Sequence, residues 1–172
     1  MDYNLCDYNT VKKILSAHGF NFSKALGQNF IIDDSVCPTM AEMLEADEKT
    51  GVLEVGPGVG VLTKELCKRA GKVVSVELDE RLYPVLEQTL ADYDNFELVK
   101  GDVMKIDLKQ LIAEKFADCD TVKVCANLPY YITSPVIMML LQSRLPVSEI
   151  EVMVQQEAAE RLCAPIGSRE AG

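Results

Sequence analysis

Short strand-type segments alternate with helix-type segments along most of this chain, and that alternation restricts its fold more than any other feature. Five apolar or alternating segments have the length and composition of strands: "GVLEVG", "KVVSVEL", "NFELVKG", "TVKVCANL" and "EIEVMVQ". Each is followed by a helix-type segment: "GVLTKELCKRA", "DERLYPVLEQTLADY", "DLKQLIAEKFA", "SPVIMMLLQSR" and "QEAAERLCA". This order predicts an α/β fold with a mostly parallel sheet and flanking helices.

Helix boundaries are predicted from capping residues. Ahead of the first strand, "NTVKKILSAHG" predicts a helix capped by Asn9 or Thr10, and "DDSVCPTMAEMLEA" predicts a second. The helix in "SPVIMMLLQSR" is predicted to be capped by Ser134, with Pro135 at its first position.

Composition excludes several classes of protein. A length of 172 residues favours one domain, and no apolar run approaches the roughly 20 residues of a membrane span. The first residues resemble no secretory signal, so we expect a cytoplasmic protein without a membrane partner. Six cysteines without a Cys-x-x-Cys pair, and a single histidine, His18, favour reduced thiols and no metal site. The net charge of −10 argues mildly against a nucleic-acid partner.

The stretch "VLEVGPGVGVLT" predicts a ligand loop between the first strand and its helix. Gly56, Gly58 and Gly60 let a ligand approach the backbone and the helix N-terminus, although a tight turn without a ligand is the simpler alternative. The spacing differs from the Gly-x-Gly-x-x-Gly of dinucleotide enzymes. Glu54, just before the loop, would attract a cationic ligand such as S-adenosylmethionine; alternatively, it caps backbone amides of its own loop.

Two further acids follow the next two strands. Glu77 closes the second strand, where a carboxylate can bind the ribose hydroxyls of an adenosine ligand; the alternative is a helix cap, which Asp79 already offers. Asp102 follows the third strand and can accept a hydrogen bond from an adenine amino group, unless it is only a turn residue. Because the carboxyl ends of parallel strands share one edge, the three acids together favour an adenosine site.

The fourth strand ends in "ANLPYYITSP", which is the most specific signal in the chain. The Asn127 side-chain oxygen and the Leu128 carbonyl can orient an exocyclic amine toward a methyl donor. Pro129 holds Leu128 extended, and Tyr130 offers a face on which a flipped base can stack. We therefore predict a catalytic set of Asn127, Leu128, Pro129 and Tyr130, for which a Pro-Tyr turn before a helix is the alternative.

These motifs resemble, in order, those of the ribosomal RNA adenine dimethyltransferase family. "KALGQNFI", "LEVGPGVGVLT", "VVSVELD", "GDVMKID", "ANLPYYITSP" and "VMVQQEAAERL" carry the resemblance. It implies a Rossmann-like S-adenosylmethionine-dependent methyltransferase fold and dimethylation of adenine N6 in ribosomal RNA. It also places residues in the cofactor site: Asn29, Ile31 (where the family commonly has leucine), Gly56, Glu77, Asp102 and Asn127. Glu54 and Gly58 complete the set that we predict from the loop.

The form Asn-Leu-Pro-Tyr favours the small-subunit RNA enzymes over the large-subunit resistance methylases, which remain the alternative. The family continues with further strands and a small helical domain. We therefore expect residues 1–172 to be an incomplete catalytic domain that lacks the last strands, grips RNA weakly and can self-associate through the exposed edge of "EIEVMVQ".

Two rivals belong to other classes of protein. A NAD-dependent oxidoreductase fits the glycine spacing and Glu54 poorly. A non-enzymatic S-adenosylmethionine-binding assembly factor would have no need of the amine-orienting Asn127 and Pro129. Titration with S-adenosylmethionine and then with NAD would separate the first rival from a methyltransferase.

Overall fold

A computed structural model describes residues 3–20, 34–128 and 132–167 and contains the predicted sheet. The five strands are β1 Thr50–Val55, β2 Lys72–Glu77, β3 Phe96–Lys100, β4 Thr121–Asn127 and β5 Glu149–Met153. Their order is β3-β2-β1-β4-β5, and all four pairings are parallel. The prediction of a parallel α/β fold is confirmed.

Helices connect the strands as the alternation requires. They are α1 Tyr8–Ala17, α2 Val36–Met43, α3 Val61–Cys67, α4 Tyr83–Thr89, α5 Leu108–Lys115, α6 Thr133–Gln142 and α7 Gln156–Cys163, with a 3-10 turn at Glu80–Leu82. Two predicted caps are wrong. Asp7, not Asn9 or Thr10, caps α1 by accepting hydrogen bonds from the Thr10 N–H and hydroxyl, both at 2.7 Å. Helix α6 begins at Thr133, so Ser134 lies inside it.

The sheet is covered on both faces by apolar side chains. Leu53, Val74 and Val124 face one layer, in which α5 and α6 contribute Ile112, Val136 and other residues. The opposite face packs on α2 and α3, whose buried side chains include Cys37, Met40 and Leu66. All six residues of β1 are buried, as expected for the central strand of a doubly covered sheet.

The order of the strands reverses at β1. The chain runs from β1 outward through β2 to β3, and then returns to place β4 on the other side of β1. A crevice forms at such a point because the loops after β1 and β4 leave the sheet in opposite directions. The glycine loop and the Asn127 region therefore lie at the reversal.

Helix α1 packs against the loop after β1 and against α4. Its Val11, Ile14 and Leu15 pack with Val59 and Val85. A series of side-chain hydrogen bonds adds to this contact. His18 Nε2 lies 2.7 Å from Gln88 Oε1, Gln88 donates to the Tyr3 hydroxyl at 2.8 Å, and the Lys64 ammonium donates to the Tyr3 carbonyl at 2.6 Å.

None of the helices in the described ranges is both long and apolar enough to cross a lipid bilayer. The six cysteines, all of which lie within those ranges, form no disulfide with one another, and Cys37, Cys67 and Cys125 are buried.

Candidate nucleoside-binding site

A cavity of about 360 Å³ opens at the carboxyl edge of the sheet. Its walls come from the ends of β1, β2 and β4 and from the loops after β1, β2 and β3. Ligand sites usually measure roughly 300–1,000 Å³. The cavity is therefore large enough for a small organic ligand and lies where open α/β sheets bind one.

Seven of the predicted site residues line this cavity. They are Glu54, Gly56, Gly58, Glu77, Asp102, Asn127 and Leu128. The other four, Asn29, Ile31, Pro129 and Tyr130, lie outside the described residues. Residues that are up to 74 positions apart in the chain thus meet around one space, as the strand-end reasoning predicted.

The loop after β1 needs its glycines for backbone conformation. Gly56 and Gly58 have φ of 72° and 60°, values that side chains disfavour. The Gly56 N–H donates to the Val76 carbonyl at 3.0 Å, which fixes the loop against β2. A Cβ at either glycine would meet no atom within 4 Å. Since both residues line the cavity, a ligand can approach the backbone there.

Glu77 joins two of the cavity loops. Its Oε1 accepts from the Asp79 N–H at 2.8 Å, and its Oε2 accepts from the Gly58 N–H at 3.3 Å. Burial raises the pKa of this carboxyl, and the backbone donors oppose that rise. Asp79 caps the following turn by accepting from the Arg81 N–H at 3.0 Å. Glu77 is therefore free of the capping role that was its alternative.

Asp102 combines a turn role with a place in the cavity wall. Its Oδ1 accepts from the Met104 N–H at 3.0 Å, and its Oδ2 lies 3.5 Å from the Lys105 ammonium. The turn interpretation of Asp102 thus describes a real contact. A carboxylate has capacity for further hydrogen bonds, so the turn leaves acceptor sites for a ligand amine.

Glu54 is buried in the central strand, with 1% of its surface exposed. Its Oε2 accepts from the Thr63 hydroxyl at 2.7 Å and the Ser75 hydroxyl at 2.5 Å. These donors come from α3 and β2, so Glu54 does not cap its own loop through them. Burial raises the pKa of Glu54 to about 7; the two hydroxyls lower it, and nearby Glu77 adds to the rise.

The end of β4 is fixed by its neighbour. The Leu128 N–H donates to the Met153 carbonyl at 3.2 Å, and the Leu128 side chain is buried in the core. Asn127 is half-buried and lines the cavity one residue earlier. This backbone is held from two sides, which suits residues that must present oxygens in a defined direction.

Apolar residues at the cavity were not predicted from the sequence. Leu78 and Met104 line it and remain 65% and 47% exposed. Large exposed apolar side chains beside a cavity provide surfaces for a flat ring. The available signal was positional, because Leu78 directly follows Glu77 and Met104 follows Asp102 by two residues.

Fold and cavity together define an open α/β protein with a candidate ligand site at the reversal of strand order. A family model described as ribosomal RNA adenine dimethylase matches residues 19–172. A curated relative from Bacillus licheniformis, named ribosomal RNA small subunit methyltransferase A, is 49% identical over 161 residues, or 94% of this chain. The chain belongs to the ribosomal RNA adenine dimethylase family.

Solved structures agree with this assignment. A dimethyladenosine transferase from Plasmodium falciparum superposes with a TM-score of 0.65 at 29% identity, over 80% of this chain and 47% of that one. The 23S rRNA methyltransferase ErmE gives 0.61 at 29% identity, over 75% and 49%. The predicted Rossmann-like methyltransferase fold is confirmed. The chain spans about half the length of the curated relatives it matches, 55% for the Bacillus protein.

Proposed function

We propose that this chain binds S-adenosylmethionine and forms the catalytic domain of an enzyme that dimethylates adenine N6 in small-subunit ribosomal RNA. The observation that carries the proposal is the meeting of Glu54, Gly56, Glu77, Asp102 and Asn127 around one cavity. Membership of the dimethylase family supports the choice of reaction.

The described residues fit the cofactor. When bound, S-adenosylmethionine supplies an electrophilic methyl group. Glu77 offers acceptors for ribose hydroxyls, while the open backbone at Gly56 and Gly58 admits the ligand. Asp102 can accept from the adenine amino group, with Leu78 and Met104 beside the ring. With Asn29 and Ile31, these residues form the proposed cofactor set.

Asn127 and Leu128 serve the target amine in this proposal. Their oxygens accept hydrogen bonds from the adenine amino group and turn its nitrogen toward the methyl donor, while Tyr130, after Pro129, stacks on the base. Positioning of this kind requires a rigid backbone. The bond from Leu128 to Met153 and the buried Leu128 side chain support that requirement.

A small-subunit target is favoured over a large-subunit one. The curated relatives named for the small subunit are 43–49% identical to this chain, whereas the 23S rRNA enzyme is 29% identical. Methylation assays on both isolated ribosomal RNAs would decide between them. Modification of the large-subunit RNA alone would overturn this part of the proposal.

Calorimetric titration tests the cofactor. We expect S-adenosylmethionine to bind and NAD not to bind. Glu77→Ala should weaken the binding of S-adenosylmethionine by about 1.5–3 kcal/mol, the range for a hydrogen bond to a charged group. Glu114→Ala, at an exposed position on α5, is the matched control and should bind as the wild type does. Unchanged affinity in Glu77→Ala would remove Glu77 from the site.

Asn127→Ala tests the chemistry in any protein that contains this chain and transfers methyl groups. Most transfer should be lost while S-adenosylmethionine affinity stays within roughly tenfold, because the lost acceptor acts mainly in the transition state. Transfer of labelled methyl groups to ribosomal RNA measures the first quantity and calorimetry the second. Near-normal turnover would contradict the assignment.

We also propose a partner and a self-association surface for this chain. Ribosomal RNA is its partner in the cytoplasm, bound weakly by these residues because their net charge is −10. The outer strand β5, which pairs only with β4 in the described residues, mediates self-association. Sedimentation and amide exchange test the latter. A strict monomer whose residues 149–155 exchange as slowly as 52–55 would contradict it.

A further inference from the structure

Glu54 has one carboxylate oxygen with a full set of donors and one with none. The hydroxyls of Thr63 and Ser75 both donate to Oε2. Oε1 is also buried, and no described residue donates a hydrogen bond to it. An orphaned carboxylate oxygen inside a protein is costly. Since Glu54 is part of the cavity wall, a ligand group can relieve that cost.

The ionisable groups around Glu54 do not compensate its charge. Glu77, on β2, is a second acid. Cys37 on α2, Cys67 on α3 and Cys125 on β4 are buried thiols. Burial raises the pKa of Cys37 and of Cys67 to about 12 and raises that of Cys125 further, so all three are neutral at physiological pH. Among the described residues, no basic side chain contributes to the pKa of Glu54.

This side of the cavity therefore favours a ligand with positive charge. S-adenosylmethionine and its demethylated product share the adenosine, the ammonium and the carboxylate. They differ by one methyl group and one positive charge, since the sulfonium becomes a neutral thioether. A contact with Glu77, Asp102 or the glycine loop serves both ligands alike. Only a group that responds to charge can separate them strongly.

We propose that Glu54 is the charge-selecting residue of the cofactor site, whose unpartnered oxygen favours the cationic methyl donor over the neutral product. This inference rests on the proposed function. An enzyme that methylates the same base twice must exchange product for fresh donor between transfers. A buried counter-charge promotes that exchange because it loses its cation when the methyl group leaves.

The selection depends on pH in a defined direction. With a pKa of about 7, Glu54 is largely protonated at pH 6 in the ligand-free chain and largely ionised at pH 8. A cation that binds at pH 6 must displace the proton first. The affinity for S-adenosylmethionine should therefore rise about tenfold from pH 6 to pH 8, one decade for a single proton released near pH 7. The affinity for the neutral product should rise less.

Calorimetry with both ligands at pH 6 and pH 8 tests the inference. In the wild type, the ratio of donor affinity to product affinity should increase several-fold with pH. Glu54→Gln keeps an acceptor for the two hydroxyls but carries no charge, so its ratio should be lower at pH 8 and independent of pH. Asp102→Asn is the matched control, because Asp102 lines the same cavity but is not among the groups that shift the pKa of Glu54. It should weaken both ligands by a similar factor and leave their ratio unchanged.

A second measurement needs no variant. The wild type is titrated at pH 6 in buffers with different ionisation enthalpies, which gives the number of protons released on binding. Binding of S-adenosylmethionine should release more protons than binding of the product does. Equal release for the two ligands, or an unchanged affinity ratio in Glu54→Gln, would overturn the inference while the cofactor site stands. Failure of both ligands to bind the wild type would overturn the proposed function, and the inference with it.

Discussion

Two glutamates lie on one cross-strand row of the sheet, on either side of Cys125. Glu54 on β1 and Glu151 on β5 are both in register with that residue. Each has a buried oxygen without a donor among the described residues, and burial raises the pKa of each carboxyl. The central strand and the outer strand thus each carry an acid with one unpaired buried oxygen, although Glu54 is fully buried and Glu151 is only half-buried.

Their surroundings differ. Glu54 receives two hydroxyl donors and lines the cavity. Glu151 is not part of the cavity wall; nearby Glu149 raises its pKa and Lys123 lowers it. An acid in an apolar layer is thus insufficient to indicate a ligand site. The cavity beside Glu54 makes its charge available for binding, and the donors on its other oxygen fix its orientation.

The largest expected difference between the two acids is in stability against pH. The pKa of Glu54 rises from 4.5 to about 7 on folding, so the native state resists its ionisation. At about 1.4 kcal/mol per pKa unit, Glu54 alone should lower the stability of the ligand-free chain by about 3 kcal/mol between pH 4.5 and pH 7, and this loss is absent below pH 4.5. Denaturant unfolding at pH 5 and pH 8 measures this. Glu54→Gln should remove most of the loss, and Glu151→Gln a smaller part.

Equal effects of these two variants would break the comparison. They would mean that the fully buried Glu54 affects stability no more than the partly exposed Glu151 does. A Glu54→Gln variant with the pH profile of the wild type would instead contradict the raised pKa of Glu54.

The hydroxyl donors provide a second, smaller test. Thr63→Val keeps the shape of a fully buried side chain but removes one donor to Glu54. It should cost about 1.5–3 kcal/mol at pH 8, as for a hydrogen bond to a charged group, and less at pH 5, where Glu54 is largely protonated. Thr89→Val is the control, because the Thr89 hydroxyl donates to the neutral Val59 carbonyl. Its cost should not vary with pH. A pH-independent cost for Thr63→Val would contradict the ionised state of Glu54.

The smallest effect is expected on the outer strand. Glu151→Leu replaces an acid that has an unpaired buried oxygen, so thermal unfolding at pH 8 should show a change within about 1 kcal/mol or a gain. Glu54→Leu would instead orphan the Thr63 and Ser75 hydroxyls and should destabilise clearly. A large loss of stability in Glu151→Leu would show that Glu151, like Glu54, has a stabilising partner.

Local sequence patterns predicted the order of strands and helices. Side-chain partners and helix caps were not predicted, because they depend on contacts between residues that compete or lie far apart in the chain. Alternating strand and helix segments are readable within about ten residues, which is why all five strands were expected. Parallel strands align their carboxyl ends, so the amino-acid sequence alone was enough to place Glu54, Glu77, Asp102 and Asn127 at one edge of the sheet.

Other features depend on where side chains meet. The donors to Glu54 lie 9 and 21 residues away, and nothing local identifies Thr63 or Ser75 as its partners. The predicted cap of α1 was wrong for a related reason. Several polar residues compete for the cap of α1, and Asp7 is the one whose carboxylate reaches the Thr10 N–H.

The docking of α1 also bears on the order in which the protein assembles. Its polar anchors join His18 to Gln88, Tyr3 to Gln88 and Tyr3 to Lys64, across 70, 85 and 61 residues. Closing such long loops costs entropy before any contact is gained. During synthesis, α1 can therefore make these polar contacts only after Gln88 has left the ribosome, so its docking depends on segments that are translated after it.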